Sequence, residues 1–288
     1  MAETVQDAVP PGRRDRRRAV PGALVLPALL AVSLLFLLPL GLLVWQSFTD
    51  PEIGIGNYVQ VFTDGLTLKV LGRTFATTAV ITAITLCLGY PYAYLMARGG
   101  PRLRVILLAI VMIPFWLSVM TRTFAWIVLL SRGGPISQLL DGLGFPNVTL
   151  LGSLAGATLG MVQVLLPFMV LPLYSTMSGI DSRLLDAASS LGARGWTAFR
   201  TVFLPLSLPG VTAGVTLVFV LTVGFYITPQ LLGSPQNALV AQLIGIKVLQ
   251  LRDFGGAGAI STVLIVFCVL LLLLATRFVK LGSIVKVR

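Results

Sequence analysis

The sequence DSRLLDAASSLGARGWTAFRTVFLPLSLP, residues 181–209, is the one long polar interruption in the second half of an otherwise mostly apolar chain. Its first half repeats apolar residues at helical spacing, at Leu184, Leu185, Ala188 and Leu191. Asp181 or Ser182 can cap the start of this helix, and Gly192 stands where a left-handed residue ends one. This half therefore predicts a short amphipathic helix that stops at the glycine.

The second half of the same stretch predicts another short helix. Trp196, Phe199 and Phe203 fall on one face of it. Pro205 and Pro209 follow, and because proline interrupts helical hydrogen bonding, we expect them to stop this helix. A helix–glycine–helix unit lying beside a membrane is a rigid projection, which is suited to fitting a groove in a partner.

The composition places the chain in a membrane. Its 288 residues are 56% hydrophobic and 11% charged, with a mean hydropathy of +0.95, which is typical of an integral membrane protein. The two cysteines, Cys87 and Cys268, lie in apolar runs and make neither a disulfide framework nor a metal site. The sequence has no histidine, which excludes a histidine-based catalytic triad, a histidine-ligated metal and a histidine pH switch.

Six long apolar runs predict an all-α integral membrane fold with six transmembrane helices. The expected spans are about 23–46, 74–97, 105–127, 152–176, 208–231 and 255–277. They form a membrane domain at 20–280, between a basic tail at 1–19 and a C-terminal tail at 281–288. Short helices are expected in the external loops, near Tyr58–Phe62, Ile136–Leu143 and Leu239–Leu251. The polar 177–206 loop joins the fourth and fifth spans.

The distribution of basic residues orients these spans. Six spans put both termini, the 98–104 turn and the 177–206 loop on one side of the membrane. That side carries fifteen of the 21 Lys and Arg residues, the other side carries five, and Arg122 lies within a span. The positive-inside rule therefore predicts that both termini and the 177–206 loop are cytoplasmic. The net charge of +11 is mostly this topology signal, and it does not indicate nucleic-acid binding.

The spacing within the 177–206 loop carries a family resemblance. Asp186-Ala187-Ala188, three residues, Gly192, nine residues and then Val202-x-Leu204-Pro205 resembles the EAA loop of permease subunits of binding-protein-dependent ABC importers. Asp186 replaces the family's glutamate and Val202 its isoleucine. In that family the loop is the cytoplasmic coupling helix, which docks on a separate ATPase subunit. The resemblance implies this ATPase-coupling role for six residues: Asp186, Ala187, Ala188, Gly192, Leu204 and Pro205.

Further segments resemble the spermidine/putrescine-type branch of these permeases. They are Asn57-Tyr58, Ile113–Trp116, Arg122–Trp126, Gly134–Ile136 and Thr228–Gly233. The resemblance implies a MetI-like type I ABC importer permease in a prokaryotic plasma membrane. It also implies an ATP-binding cassette ATPase dimer, a second homologous permease subunit and an external solute-binding protein as partners. The favoured solute is a polyamine such as spermidine or putrescine, although the branch includes transporters for aminophosphonates, ferric iron and other solutes.

The sequence carries no energy-converting chemistry of its own. It lacks the G-x-x-x-x-G-K-[ST] phosphate loop, and its carboxylates all lie in loops or the tail, so no embedded acid relay is expected. We therefore expect a transport subunit that is not an enzyme and binds no cofactor, with ATP used by a partner ATPase. The alternatives are an autonomous secondary carrier or channel for a small organic ion, and a membrane enzyme or scaffold. The membrane-embedded residues offer no acid, base and nucleophile for an enzyme.

The candidate translocation route consists of one charge and a set of aromatic residues. Arg122 lies 18 residues after Arg104, about 27 Å along a straight helix, which places it near the outer surface. There it either snorkels to the interface or lines the external mouth of a pathway. The aromatic candidates form either an interfacial belt or a cation-binding wall: Trp116, Trp126, Phe225 and Tyr226.

Overall fold

A computed structural model describes residues 22–145 and 148–284 of the chain. Within these ranges all regular structure is helical, and no strand occurs. The expected basic tail at 1–19 lies outside the described residues. The final helix runs to Ile284, so the first four residues of the expected C-terminal tail are helical. Residues 285–288 lie outside the described part.

The helices follow one another with short connections. In chain order they are α1 (Gly22–Thr49), α2 (Gly56–Thr63), α3 (Gly65–Arg98), α4 (Pro101–Trp116), α5 (Val119–Leu130), α6 (Pro135–Gly142), α7 (Leu154–Ser178), α8 (Ser182–Ser190), α9 (Gly195–Ala198), α10 (Leu204–Val223), α11 (Ile227–Leu232), α12 (Val240–Leu249) and α13 (Phe254–Ile284). A π-helical turn at Phe199–Phe203 joins α9 to α10, and a 3₁₀ turn at Pro235–Asn237 precedes α12.

Five of the described helical segments are long and apolar enough to cross a membrane: Leu29–Thr49, Gly65–Arg98, Leu154–Ser178, Gly195–Val223 and Phe254–Ala275. A sixth span is possible if α4 and the α5–α6 segment are one span with a bend of 100° between them. The number agrees with the six apolar runs, but two bounds differ. Helix α3 begins nine residues before the expected span 74–97. The expected span 208–231 corresponds to the continuous helical segment Gly195–Val223, which begins and ends earlier.

The third span is divided where a continuous helix at 105–127 was expected. Helix α4 ends at Trp116, and Leu117 and Ser118 take extended backbone angles before α5 begins. The apolar run hides this break because hydropathy does not report backbone direction. Pro114, which cannot donate a backbone hydrogen bond, lies in the last turn of α4 and weakens the helix there.

The prediction that Pro205 and Pro209 stop the second helix of the 177–206 loop is wrong. The chain remains helical through both prolines, from Gly195 to Val223. Just before Pro205 the helix widens, and the Leu204 amide donates to the carbonyl of Phe199, five residues earlier. Because a proline ring clashes with the carbonyl four residues before it, a wider π turn at this point accommodates the ring without ending the helix.

The main core lies where α3, α7 and α10 cross. Met169 of α7 is fully buried there between two glycines, Gly89 of α3 and Gly214 of α10. A Cβ atom would lie 2.9 Å from the Met169 Cγ at Gly89 and 2.8 Å from its Sδ at Gly214. Absence of side chains at these glycines therefore allows the three helices to pack closely.

Helix α1 is attached to α2 and α13 at its C-terminal end. The Asn57 side chain donates to the carbonyls of Ser47 (2.9 Å) and Asp50 (2.8 Å). The Asp50 carboxylate accepts from the Gly255 amide at the start of α13, at 3.2 Å. Most of the described apolar side chains of α1 are exposed, as expected of a helix that faces lipid, and near Ser47 the helix packs on Gly258 of α13.

Candidate coupling loop and translocation route

The first helix of the 177–206 loop begins as the sequence predicts. Of the two candidate caps, Asp181 is the N-cap of α8, and its carboxylate accepts from the Arg183 amide at 2.9 Å. Ser182 is the first helical residue. This bond satisfies one of the free amides at the helix start and fixes the direction in which the chain enters the loop.

The same helix ends at Gly192, as predicted. The φ angle of Gly192 is +84°. Its amide donates to the Ser189 carbonyl, and the Ala193 amide donates to the Ala188 carbonyl, both at 3.0 Å. This pair of bonds is a Schellman motif, in which a left-handed residue closes the helix. No atom outside the local backbone lies within 4 Å of a Cβ built at Gly192, so the backbone angle is what requires glycine here.

The surface of the 177–206 loop carries both exposed apolar side chains and residues of the EAA-type pattern, which we call the signature residues. Asp186 and Ala187 are exposed, and Ala188 is half-buried. Leu191 was expected among the apolar residues that recur at helical spacing in α8, but it is 90% exposed because the chain reverses direction at the next residue. Trp196 is 72% exposed. The loop therefore presents a compact surface with small, acidic and apolar parts that are free to meet a partner.

Aromatic residues attach the loop to α3. We call Tyr90, Tyr94, Phe199 and Phe203 the aromatic column. Phe203 is fully buried, and its ring meets the Tyr94 ring edge-on with the centroids 5.1 Å apart. Phe199 stacks on Phe203 at 5.7 Å and meets both tyrosines edge-on, at 5.9 Å from Tyr94 and 6.2 Å from Tyr90. The predicted shared face of Trp196, Phe199 and Phe203 exists, and Trp196 stacks on Phe199 at the exposed end.

Leu204 and Pro205, the last signature residues, begin α10 directly after the π turn. Two residues after Pro205, the hydroxyls of Ser207 and Tyr90 share a hydrogen bond of 2.9 Å. Pro205 thus lies between the aromatic column and the Ser207–Tyr90 hydrogen bond, both of which contact α3. At this position it follows the π turn and does not end the helix.

Arg122 does not take either of the positions expected for it. Its side chain is only 7% exposed, and Nη1 donates to the Pro114 carbonyl at 2.9 Å. Arg122 follows the break between α4 and α5, so the distance along a straight helix does not apply. The guanidinium instead binds the C-terminal turn of α4, where a cation also interacts favourably with the helix dipole.

The aromatic candidates do not form one wall. Trp116 is 86% exposed on the outside of the break. Trp126 is half-buried and donates weakly to the Gln163 side chain of α7, at 3.4 Å. Phe225 packs against the main core, whereas the Tyr226 ring lies over α12. No ring pair joins any two of these four side chains in the described part of the chain.

The N-terminal part of α3 is held to the segment before α12 by polar contacts that the sequence did not reveal. Arg73 donates to the carbonyls of Gln236 and Ala238, the latter at 2.7 Å, and the Thr74 hydroxyl accepts from the Val240 amide at 2.9 Å. We call this set of contacts the outer clamp. An arginine early in a long helix is no signal by itself, because its backbone partners lie more than 160 residues away.

A salt bridge closes the corner between α12 and α13. Lys247 Nζ lies 2.5 Å from Asp253 Oδ2, and the Gly256 amide donates to the same carboxylate at 2.7 Å. Burial raises the pKa of Asp253, but the hydrogen bonds from Lys247 and Gly256 and the lysine charge outweigh burial and hold the pKa below its ordinary value.

No group of three or more histidine, cysteine, aspartate or glutamate residues that could hold a metal ion occurs within 22–145 and 148–284. The described residues form a helical membrane body, in which the aromatic column holds the 177–206 loop and the outer clamp holds the 236–240 segment.

Comparison with known proteins assigns this geometry to a family. Residues 89–281 match the family described as the inner membrane component of binding-protein-dependent transport systems. The chain belongs to this family. The match includes the 177–206 loop and all of α4–α12. The chain is thus the permease subunit of an ABC importer, a transport component of the inner membrane that crosses it several times, with a MetI-like fold.

Curated permeases are similar over most of the chain. The spermidine/putrescine transport system permease PotB of Haemophilus influenzae is 34% identical over 259 residues, which cover 89% of each chain. The inner membrane ABC transporter permease YdcU of Escherichia coli is 34% identical over 220 residues, covering 70% of each. The molybdenum transport system permease ModB of Azotobacter vinelandii is 31% identical over 219 residues, covering 75% of this chain and 96% of ModB.

Solved structures share the fold at lower identity. A bacterial ABC transporter that imports the acidic polysaccharide alginate matches with a TM-score of 0.69 and 19% identity, over 91% of this chain and 95% of that one. The MetNI methionine ABC transporter, in an inward-facing conformation, matches with a TM-score of 0.57 and 20% identity, over 75% and 95% of the two chains. At these identities the likeness concerns the fold alone.

Proposed function

We propose that this importer permease translocates a polyamine such as spermidine or putrescine. The observation that carries the proposal is the 34% identity over 259 residues with a spermidine/putrescine permease, PotB. Similarity to the molybdenum permease ModB is lower in both identity and length. The proposal concerns the solute only, since the transport class follows from the family.

The charge distribution of the membrane body supports a cationic solute. Apart from Arg277 at the very end of the last span, Arg122 is the one charge inside the expected spans, and its side chain is buried against the Pro114 carbonyl. A fixed cation exposed on the route would repel a polyamine, so its burial removes an obstacle. Neutral groups that can hold an ammonium, such as the Trp126 ring and the Gln163 amide, lie near each other at α5 and α7.

We further propose that the 177–206 loop couples the permease to a separate ATP-binding cassette ATPase dimer. The coupling surface consists of Asp186, Ala187, Ala188 and Gly192, while Leu204 and Pro205 orient the loop. Support comes from the exposed position of the first two and from the rigid Schellman end of α8. This chain itself binds no cofactor in the proposal, and ATP is used by the partner.

The remaining partners and the orientation are also proposals. A second homologous permease completes the membrane part, and a solute-binding protein delivers the solute from outside. A solved relative of the fold, the alginate transporter, forms a complex with a periplasmic protein that carries an alginate pentasaccharide. Both termini and the 177–206 loop are cytoplasmic, as the excess of Lys and Arg on that side indicates.

The test is uptake by the complete transporter in proteoliposomes. Radiolabelled spermidine is added together with its binding protein. It should accumulate only when ATP is supplied on the side of the membrane that the ATPase faces, and unlabelled putrescine should compete with it. Molybdate serves as the matched control and should neither accumulate nor compete. Uptake of molybdate, or ATP-independent movement of spermidine by the permease alone, would contradict the proposal, the latter in favour of an autonomous carrier.

A further inference from the structure

Helix α3 holds a loop at each of its two ends. At its outer end, Arg73 and Thr74 form the outer clamp on the backbone of residues 236–240. Backbone partners make this attachment independent of the side chains in that loop. Because Ala238 and Val240 are also buried, the loop cannot move without the outer end of α3.

At its inner end, the same helix holds the 177–206 loop through the aromatic column. Tyr94 contacts Phe203 at 5.1 Å, and the Arg98 guanidinium lies 5.0 Å from the centroid of the Phe203 ring. Two guanidinium nitrogens of Arg98, Nε and Nη2, are buried and have no hydrogen-bond partner in the described residues. The ring is therefore a principal partner of this cation, and an interaction of this kind gains strength when it is desolvated.

The two attachments are joined by one continuous helix, in which Pro91 removes a single backbone hydrogen bond without ending the helix. Thr74 and Tyr94 are 20 residues apart, which corresponds to about 30 Å, roughly the thickness of the hydrocarbon core. Between them Gly89 packs directly on Met169, so α3 is also held sideways by α7. A displacement at one end is thus passed to the other by a single stiff element.

The covalent route between the same two loops is less direct. It follows α10 from the 177–206 loop, but α10 ends at Val223, and Gly224 to Tyr226 are outside helical structure before α11 begins. A non-helical link of this kind absorbs rotation, as hinges do. Helix α3 has no such interruption, so it is the stiffer connection between the two sides.

We propose that α3 is the transmission element of this permease, which carries movement between the 177–206 loop and the external 236–240 segment. Tyr94, Arg98 and Phe203 are positioning residues at its inner end, and Arg73 and Thr74 at its outer end. This inference rests on the proposed coupling of the 177–206 loop to an ATPase. It adds a specific mechanical path, and it does not depend on which solute is carried.

The experiment measures movement outside the membrane in response to nucleotide inside. Cysteines replace two exposed outer residues, Leu143 and Leu249, in a chain with Cys87→Ala and Cys268→Ala, and both receive spin labels. Electron–electron distances are recorded in the assembled transporter without nucleotide and with ATP and vanadate. We expect a shift with ATP and vanadate in this background, reduced to less than half by Tyr94→Leu while the ATPase still co-purifies.

Two further variants make the test specific. Arg73→Met should reduce the same shift from the opposite end, and combining it with Tyr94→Leu should cause no further loss, because both act on one path. Tyr92→Leu is the matched control. It lies on the same helix, but its hydroxyl donates to the Leu107 carbonyl of α4, away from the aromatic column, and it should keep the full shift.

The outcomes separate this inference from the proposed function. A full shift in the Tyr94→Leu complex, or no shift in the labelled background, would overturn the transmission role of α3 while leaving ATPase association intact. Failure of the ATPase to co-purify with the unsubstituted permease would overturn the proposed coupling and this inference with it. Equal losses in Tyr94→Leu and Tyr92→Leu would indicate general damage to α3 and would also overturn the specific path.

Discussion

The guanidinium of Arg122 donates a hydrogen bond of 2.9 Å to the carbonyl of Pro114, across the break between α4 and α5. The two helices differ in direction by 100° when α5 and α6 are taken together. A charge that the sequence alone places near the outer surface therefore works as a clamp inside the protein. We predict that this bond holds the bent span and that Arg122 does not meet the solute.

Replacing Arg122 with methionine should slow uptake without changing the affinity for the solute. The lost charge-assisted bond is worth about 1.5–3 kcal/mol, but the buried Nε without a partner costs about 1–3 kcal/mol, so the two nearly cancel. We expect little change in unfolding stability, a several-fold lower maximal rate and a KM within a factor of two. Thr123→Val, at the neighbouring buried position, should leave both constants unchanged. A large change in KM would instead place Arg122 on the route.

Gly192→Val should abolish ATP-coupled uptake while the protein still inserts into the membrane. A φ of +84° costs a β-branched residue on the order of 1–3 kcal/mol, and α8 can avoid that cost only by giving up its Schellman end. Asparagine tolerates this backbone angle, so Gly192→Asn should retain most of the uptake. For both variants, ATP-coupled uptake and co-purification of the ATPase are measured. Equal activity of the valine and asparagine variants would show that the backbone angle is not what matters.

Local chemistry was enough to predict much of this structure. The apolar runs indicated the membrane body because every backbone polar group in lipid must be bonded within a helix. Asp181 and Gly192 bounded α8 correctly because a cap and a left-handed residue act over a few residues of chain. The spacing of the signature indicated the family for the same reason, since it depends on one contiguous loop.

Features that depend on distant contacts were not predictable from the pattern. Arg122 was misplaced because its partner, Pro114, becomes accessible only after the chain bends. The exposure of Leu191 follows from the chain reversal rather than from helical spacing. Prolines usually end a helix in water, but Pro205 is accommodated by a π turn that packs on α3, and no local rule distinguishes these cases.

Pro205→Ala should reduce coupling between ATP hydrolysis and uptake. The substitution restores an amide that can donate to the Thr201 carbonyl, which favours contraction of the π turn to an ordinary α turn. Contraction would rotate Phe199 away from Phe203 and weaken the aromatic column. We expect fewer molecules of spermidine moved per ATP, by several-fold, when both are counted in the same proteoliposomes. Pro209→Ala, in regular α-helix, is the control, and an equal loss there would refute the role of the π turn.

The salt bridge between Lys247 and Asp253 should make the external corner sensitive to acid. Because the pKa of Asp253 is lower in the folded protein than its ordinary value of 3.8, the ionised carboxylate favours folding. This contribution is fully present above the unfolded pKa and is lost as the pH falls through the lower, folded value. The contribution of this pair to stability should therefore stay constant from pH 8 to about pH 5 and decline below about pH 4.

The measurement is thermal unfolding of the detergent-solubilised permease from pH 8 to pH 3, compared with that of two lysine variants. Lys247→Met leaves the Asp253 carboxylate half-buried beside the Gly256 amide without its cation, so its pKa should rise towards or above the ordinary value. This variant should therefore be less stable than the unsubstituted protein at neutral pH, and its decline below about pH 4 should be smaller. Lys69→Met removes an exposed lysine of α3 and should follow the unsubstituted protein. If the three curves coincide at every pH, the bridge contributes nothing, and the corner between α12 and α13 is held by apolar packing alone.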